Sequence, residues 1–171
     1  DRNGNELSRS YNTWVKDDKG NGVVFVYNSA SDQIVYSRMD EDLKAKLPYA
    51  YEKKDHRTRV QYEYDAFGNV VKQIQFGEVP LDLSTLTENA SVDIDLADTV
   101  IAQTTYHNNI SGSNYLLGIP KHVQITDGFG KLTRQSWYYY DNSDDLEALP
   151  TKAQLTKKMD WLDGGENPVT R

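Results

Sequence analysis

Three histidines are the residues of this chain best suited to acid–base catalysis or zinc binding. Both roles need imidazoles that converge with carboxylates. His56 lies in a charged run and is expected to be solvated, whereas His107 precedes an Asn-Asn pair that favours a turn. His122 alternates with Val123 along a predicted strand. Since no spacing brings two histidines together, the sequence predicts no catalytic or metal-binding residue among them.

Clustered oxygen ligands could instead bind calcium. Residues 17–22 read Asp-Asp-Lys-Gly-Asn-Gly, but Lys19 stands where a calcium loop needs an oxygen ligand, and no Glu closes the loop. The prediction there is a hairpin turn. Residues 141–145 (Asp-Asn-Ser-Asp-Asp) are denser in oxygen. For these residues a solvated loop is favoured over weak calcium binding, and both interpretations stay open.

Composition narrows the function classes further. The chain has no cysteine, so thiolate chemistry is excluded. It also has no Gly-x-Ser-x-Gly motif, the turn that carries the nucleophilic serine of α/β-hydrolases. The net charge is -7 with scattered basic residues, which argues against nucleic-acid binding. No apolar run approaches the ~20 residues of a membrane span. We therefore predict no enzymatic activity, no cofactor, no nucleic-acid partner and no membrane span.

The elements that would position these side chains are β-strands. Residues 60–64 alternate apolar and polar side chains, residues 70–76 follow with a second strand pattern, and residues 65–69 between them favour a tight turn. Residues 123–125 and 132–140 flank a similar turn at 127–130. A third hairpin is predicted from strands at 23–27 and 33–36 around a turn at 28–32.

Further strands are predicted at 11–16, 100–106 and 153–162, with a turn at 163–165. The fold class is therefore all-β, an antiparallel sheet of consecutive hairpins, with at most short helical turns near 40–47 and 80–90. Residues 79–99 are acidic and poor in aromatics, and are interpreted as a loop or insertion.

An internal repeat relates two of the turns. Asp65-x-Phe-Gly68-Asn69 aligns with Asp127-x-Phe-Gly130-Lys, 62 residues later. The proposed structural motif comprises an aromatic residue and the turn-forming residues, namely Tyr64, Asp65, Gly68, Asn69, Asp127 and Gly130. A hairpin alone cannot bury an apolar face, so such units must pair edge to edge or stack.

Residues 62–70 (Tyr-Glu-Tyr-Asp-Ala-Phe-Gly-Asn-Val) resemble the YD repeat of the Rhs family. The unit at Asp127 is degenerate, because Thr126 replaces the Tyr and Lys131 replaces the Asn. The succession of motifs at 115–123, 137–141 and 161–171 is similar to the shell region of insecticidal toxin-complex B components and SpvB-like proteins. The resemblance covers residues 60–78 and 100–171 best.

This resemblance implies a β-ribbon that winds into a hollow shell around a toxic polypeptide. On that basis residues 1–171 are expected to be a single β-rich fragment of a larger secreted or cell-surface virulence protein. Its partners would be neighbouring segments of the parent chain and an encapsulated toxin polypeptide. The family's autoproteolytic aspartyl motif is not recognisable here. The alternative is a carbohydrate-binding or adhesive β-module, in which exposed Tyr and Trp rings form a glycan platform.

Overall fold

The computed structural model describes residues 8–20, 22–36, 55–80, 95–111, 115–162 and 169–170. In this part of the chain all regular secondary structure is β, and the nine strands lie in one sheet in chain order. The strands are β1 Ser8–Gly20, β2 Val23–Val35, β3 His56–Tyr64, β4 Val70–Val79, β5 Val100–Asn109, β6 Leu116–Asp127, β7 Leu132–Tyr140, β8 Leu155–Leu162 and β9 Val169–Thr170. The predicted all-β sheet of consecutive antiparallel hairpins is confirmed.

The helical turns predicted near 40–47 and 80–90 lie outside the described residues, Pro80 excepted, as does the turn predicted at 163–165. No helix in the described ranges has the length and apolarity to cross a membrane.

The turn predicted at 17–22 joins β1 to β2. Gly20 and Gly22 adopt φ angles of 79° and 78°, in the left-handed region that glycine enters without steric cost. The Asp18 carboxylate accepts a hydrogen bond from the Gly20 amide at 2.9 Å. Asp18 therefore orders the chain reversal through the backbone, and no cation is needed to explain its position.

The turn predicted at 28–32 is wrong. These residues lie inside β2, which runs unbroken from Val23 to Val35. Ser29 is an extra residue opposite the step from Thr13 to Trp14 in β1, so the polar stretch forms a β-bulge. The Ser29 hydroxyl donates to the Thr13 carbonyl at 3.2 Å. A bulge and a turn share the same small polar residues, and only the partner strand distinguishes them.

The chain divides into two compact units. Unit 1 comprises residues 1–61 and 76–95, and unit 2 comprises residues 62–75 and 96–171. The buried apolar side chains described in unit 1 are Ala30, Ile34, Phe76 and Val79. In the described part of unit 2 the buried set is mostly polar, with Tyr140 as its large apolar member. A chain with only 37% hydrophobic residues thus relies heavily on hydrogen bonds to satisfy what it buries.

Candidate functional site

The turn at residues 65–69 is organised by one carboxylate. Asp65 Oδ1 accepts hydrogen bonds from the backbone amides of Phe67 and Asn69, each at 2.9 Å. The backbone of Asp65 pairs with Asn69 and accepts from the Gly68 amide, and Gly68 has a φ of 85°. This is the pattern of a three-residue hairpin loop that needs a left-handed residue in its third position. Tyr64, at the end of β3, is half-buried, with its ring 6.4 Å from that of Tyr62.

The turn at residues 127–131 repeats this arrangement. Asp127 Oδ1 accepts from the amides of Phe129 at 3.0 Å and Lys131 at 2.8 Å. The backbone of Asp127 pairs with Lys131 and accepts from Gly130, whose φ is 83°. Because these bonds use the backbone of the fifth residue, Lys131 fits where the first turn has Asn69. The aligned residues therefore build the same turn twice.

The two turns differ in what packs against them. At Gly128, an added Cβ would collide with the Leu96 carbonyl oxygen and would lie 2.9 Å from Thr99 Cβ. The turn at 95–99, closed by a hydrogen bond from the Thr99 amide to Leu96, thus lies against the 127–131 turn. The equivalent residue of the first turn is Ala66, which is exposed.

Asn69 extends the first turn into a polar network. Its Nδ2 donates to Asp65 Oδ2 at 2.8 Å and lies 3.5 Å from Asn108 Oδ1. Asn108 Oδ1 also accepts from the Gly118 amide at 2.9 Å. The Tyr106 hydroxyl donates to the Val70 carbonyl at 2.9 Å. Side chains of β5 therefore fasten the hairpin turn between β3 and β4.

The network changes the acidity of Asp65. Desolvation, the largest single influence, raises the pKa of this carboxyl, but the hydrogen bonds from Asn69, Phe67 and Asn108 together outweigh it. The pKa of Asp65 is consequently lower than the ordinary value of 3.8. The anion is the form that the turn binds.

A second Tyr-Asp pair organises the connection between β7 and β8. Asp141 Oδ2 accepts from the amides of Thr151 at 2.7 Å and Lys152 at 2.9 Å, and Oδ1 accepts from Gln154 at 3.0 Å. Hydrogen bonds from these backbone amides, that of Lys152 first, lower the pKa of Asp141 to about 2. Asp141 has a φ of 55°, which a short polar side chain tolerates. Its carboxylate closes the loop at residues 141–154.

These contacts bear on the calcium interpretation of residues 141–145. Both oxygens of Asp141 already accept N–H donors, and Asp144 forms an ion pair with Lys157 at 2.8 Å. Among the described residues no group of three or more His, Asp or Glu side chains could hold a metal ion. Asn142, Ser143, Asp144, Thr156 and Lys157 line a shallow recess of about 200 Å³.

The three histidines lie in separate environments. His56 is exposed, as predicted, with its Nδ1 3.2 Å from Glu78. His122 stacks on Trp137 at a centroid distance of 5.5 Å, and its Nε2 lies 3.1 Å from Gln135 Oε1. His107 belongs to β5 and is only 4% exposed, rather than preceding a turn at Asn108.

His107 is covered by the 141–154 loop. Its ring meets that of Tyr140 edge-on at 6.4 Å. Burial, the largest influence, and nearby Lys121 lower the pKa of His107 below 6.5, against opposing effects of Glu147 and a backbone hydrogen bond at Leu146. Asn109 adds a second attachment by donating to the Pro150 carbonyl at 2.9 Å. The neutral imidazole is therefore part of the loop's packing surface.

Sequence reasoning missed a buried ionic cluster in unit 1. Asp32, Arg57 and Arg59 are each at most 1% exposed. Arg57 Nε donates to Asp32 Oδ1 at 2.8 Å, and Arg59 Nη1 lies 3.7 Å from Asp32 Oδ2. Burial has the largest effect on the pKa of Arg59 and lowers it. Asp32 raises this pKa, whereas the neighbouring Arg57 lowers it. The available signal was the i, i+2 spacing of the two arginines, which places both on one face of β3.

The fold and the turns together define an antiparallel ribbon of hairpins with carboxylate-organised reversals. Comparison of the chain with protein-family models, curated proteins and solved structures gives no match. The geometry of the turns is consequently the basis on which a function can be argued.

Proposed function

We propose that this chain is an architectural segment of a YD-repeat shell protein of the Rhs type. In this role the hairpins form part of the wall that encloses or presents a toxin polypeptide, and no residue of the chain acts as a catalyst. The parent protein would be secreted or carried on the bacterial surface. The neighbouring segments of the parent chain would be its principal partners.

The observation that supports this proposal most directly is the equivalence of the two turns. Asp65 and Asp127 bind the amides two and four residues later, and Gly68 and Gly130 occupy the same left-handed position. An Asp-x-x-Gly sequence repeated with the same geometry is a building element, because its hydrogen bonds are consumed in closing the chain reversal.

Strand order supports the same role. In the sheet of the described residues, strands that are neighbours in sequence are also neighbours in space. Such a ribbon can be lengthened by further hairpins without rearranging those already present. A wall built by repeated addition of hairpins needs this property.

The distribution of aromatic rings bears on the carbohydrate-binding alternative. Trp137 and Tyr139 point to one face of β7, while Tyr138 and Tyr140 point to the other. Tyr140 is buried, and the other three rings are half-buried. Lys157 and Lys158 lie over the rings of Tyr139 and Tyr138 at 4.4 and 5.6 Å. A glycan platform needs coplanar, uncovered rings, so this strand favours the architectural role.

The test is to determine the coding sequence on both sides of these residues and to image the expressed parent protein by cryo-electron microscopy. We expect further Tyr-Asp-x-x-Gly-Asn units and a closed wall in which residues 62–75 and 96–162 form part of the sheet. A parent without further units, or one in which this segment lies outside any enclosure, would refute the proposal. Binding on a glycan array that is abolished by Trp137→Ala would instead support the carbohydrate-binding module.

A further inference from the structure

The loop at residues 141–154 is attached to the sheet at two points between its ends. Asn109 Nδ2 of β5 donates to the Pro150 carbonyl at 2.9 Å. Lys121 Nζ of β6 donates to both carboxylate oxygens of Glu147, at 2.9 and 3.1 Å. The middle of the loop is therefore fastened to two neighbouring strands by polar contacts.

His107 lies against this middle part, residues 145–150, which we call the strap. The imidazole is only 4% exposed, has a hydrogen bond to the Leu146 backbone and meets the Tyr140 ring edge-on at 6.4 Å. Burial of this kind disfavours the charged form of a histidine. The closed strap therefore favours the neutral ring.

Burial has the largest effect on the ring, and charged groups from two elements add to it. Lys121 of β6 disfavours the imidazolium by repulsion, whereas Glu147 of the strap favours it by attraction, and the effect of Lys121 is the larger. Burial raises the pKa of Tyr140, so this residue of β7 stays neutral and supplies no countercharge. A proton on His107 is thus placed in a buried site beside a cation that Glu147 only partly balances.

The base of the loop is held by a carboxylate that stays ionised. Asp141 accepts hydrogen bonds from the amides of Thr151, Lys152 and Gln154. These bonds, that of Lys152 first, lower the pKa of Asp141 to about 2. Asp141 is therefore an anion throughout the range in which histidine titrates. The two ends of the loop stay joined whatever the charge on His107.

We propose that the strap is a pH-sensitive device, in which a proton on His107 releases residues 145–150 from β5 and β6 while Asp141 keeps the ends of the loop together. The open strap hydrates the imidazolium, so the open state binds the proton more tightly and is favoured as the pH falls. The opening is local, because the backbone pairing of β5, β6 and β7 uses none of these side chains. All the contacts lie within unit 2, and the inference is independent of the shell proposal.

Proteolysis at Glu147 measures the opening. A glutamate-specific endopeptidase cleaves a segment that is released from its contacts, so the rate reports the open fraction. A peptide of residues 141–154 corrects for the pH dependence of the enzyme itself. Relative to that peptide, cleavage at Glu147 should rise several-fold between about pH 7.5 and about pH 5.5. The rise cannot exceed about tenfold, because the open state binds the proton with the ordinary histidine pKa of 6.5.

Three variants test the source of the pH dependence. His107→Gln should make the corrected rate independent of pH over this range, because glutamine does not titrate. Lys121→Gln should raise the rate at about pH 7.5 through loss of the Glu147 ion pair, and should also shrink the increase on acidification, because the repelling cation is gone. A purely structural role of Lys121 would change the rate but not its pH dependence. His122→Gln, at the half-buried histidine of β6, is the matched control and should keep the increase of the unmodified chain.

Two further measurements on the unmodified chain complete the test. Cleavage at Glu63 in β3 should stay undetectable at both pH values, which separates opening of the strap from unfolding of the sheet. The His107 ring, followed by NMR, should titrate below pH 6.5, and cleavage at Glu147 should stop rising once the ring is fully protonated.

Three results would overturn the inference. The corrected rate at Glu147 could be the same at both pH values, the increase could survive His107→Gln, or cleavage at Glu63 could rise in parallel. The last result would indicate that acid unfolds the sheet as a whole.

Discussion

Gly118 lies directly against the side chain of Asn69, so that a Cβ at position 118 would come within 2.5 Å of Asn69 Oδ1. Gly118 also has a φ of 67°, a conformation that L-residues adopt at a cost. These two residues are far apart in sequence, and their contact joins the hairpin turn at residues 65–69 to β6. Their proximity explains why the chain has glycine at position 118.

Gly118→Ala should therefore destabilise the chain by about 1–3 kcal/mol, from the left-handed backbone and the displaced Asn69 side chain. Urea denaturation followed by tryptophan fluorescence measures the change. In an Asn69→Ala background the same substitution should cost less, because the collision is removed and only the backbone strain remains. Equal costs in the two backgrounds would mean that the Asn69 contact is unimportant.

Asp65→Ala and Asp127→Ala should each destabilise their hairpins by about 1–2 kcal/mol, by analogy with the loss of a side-chain cap on backbone amides. Asp65→Ala should cause the larger destabilisation, since it also removes the hydrogen bond from Asn69 Nδ2. Asparagine at either position is the matched control, because its Oδ1 can still accept the two amides. Thermal melting compares the four variants, and an alanine variant as stable as its asparagine control would contradict the turn assignment.

Ala153 has a φ of 55°, which alanine adopts at a cost of about 1–2 kcal/mol. Ala153→Gly should thus raise stability by about 0.5–1 kcal/mol, after the greater entropy of glycine in the unfolded chain is subtracted. Ala148→Gly, in the same loop but outside the left-handed region, should lower stability by a similar amount. The two melting temperatures should shift in opposite directions, and a parallel shift would argue against strain at residue 153.

His107 should make stability depend on pH near neutrality. Its pKa is lowered in the folded chain from 6.5, so below that pH the unfolded state binds the proton first. The stability that depends on a neutral His107 is fully present above about pH 6.5. It is lost as the pH falls through the pKa of His107 in the folded chain. The urea midpoint should decrease between pH 7.5 and 5.5, and His107→Gln should flatten that dependence. Hydrogen exchange in residues 141–154 should report the same loosening, and an unchanged slope in the variant would exclude His107 as its source.

Asp32→Ala should be among the most destabilising single changes, by about 3–5 kcal/mol, because it removes the carboxylate that both buried guanidinium groups contact. Asp17→Ala, at an exposed ion pair, should change stability by less than about 1 kcal/mol. Chemical denaturation of both variants tests the contrast. Similar losses for the two would show that the buried cluster contributes little to folding.

The sequence by itself determined the strands and most of the turns, because both depend on short-range chemistry. Alternation over a few residues decides which side chains face together, and an Asp-x-x-Gly turn closes through atoms at most four residues apart. For this reason the equivalence of the turns at Asp65 and Asp127 could be predicted from the sequence alone. The assignment of these turns to a shell wall remains a prediction.

Tertiary structure alone decided what is buried and where the chain is irregular. The polar stretch at 28–32 is a bulge because β1 pairs across it, and the pairing register of a distant strand is not encoded locally. In the same way Asp32 meets Arg57, and Gly118 meets Asn69, only after the strands align. Burial of a charge depends on its partner, since an unpaired ion would remain in water. Local sequence can indicate such residues as polar, but only the assembled sheet shows that they are interior.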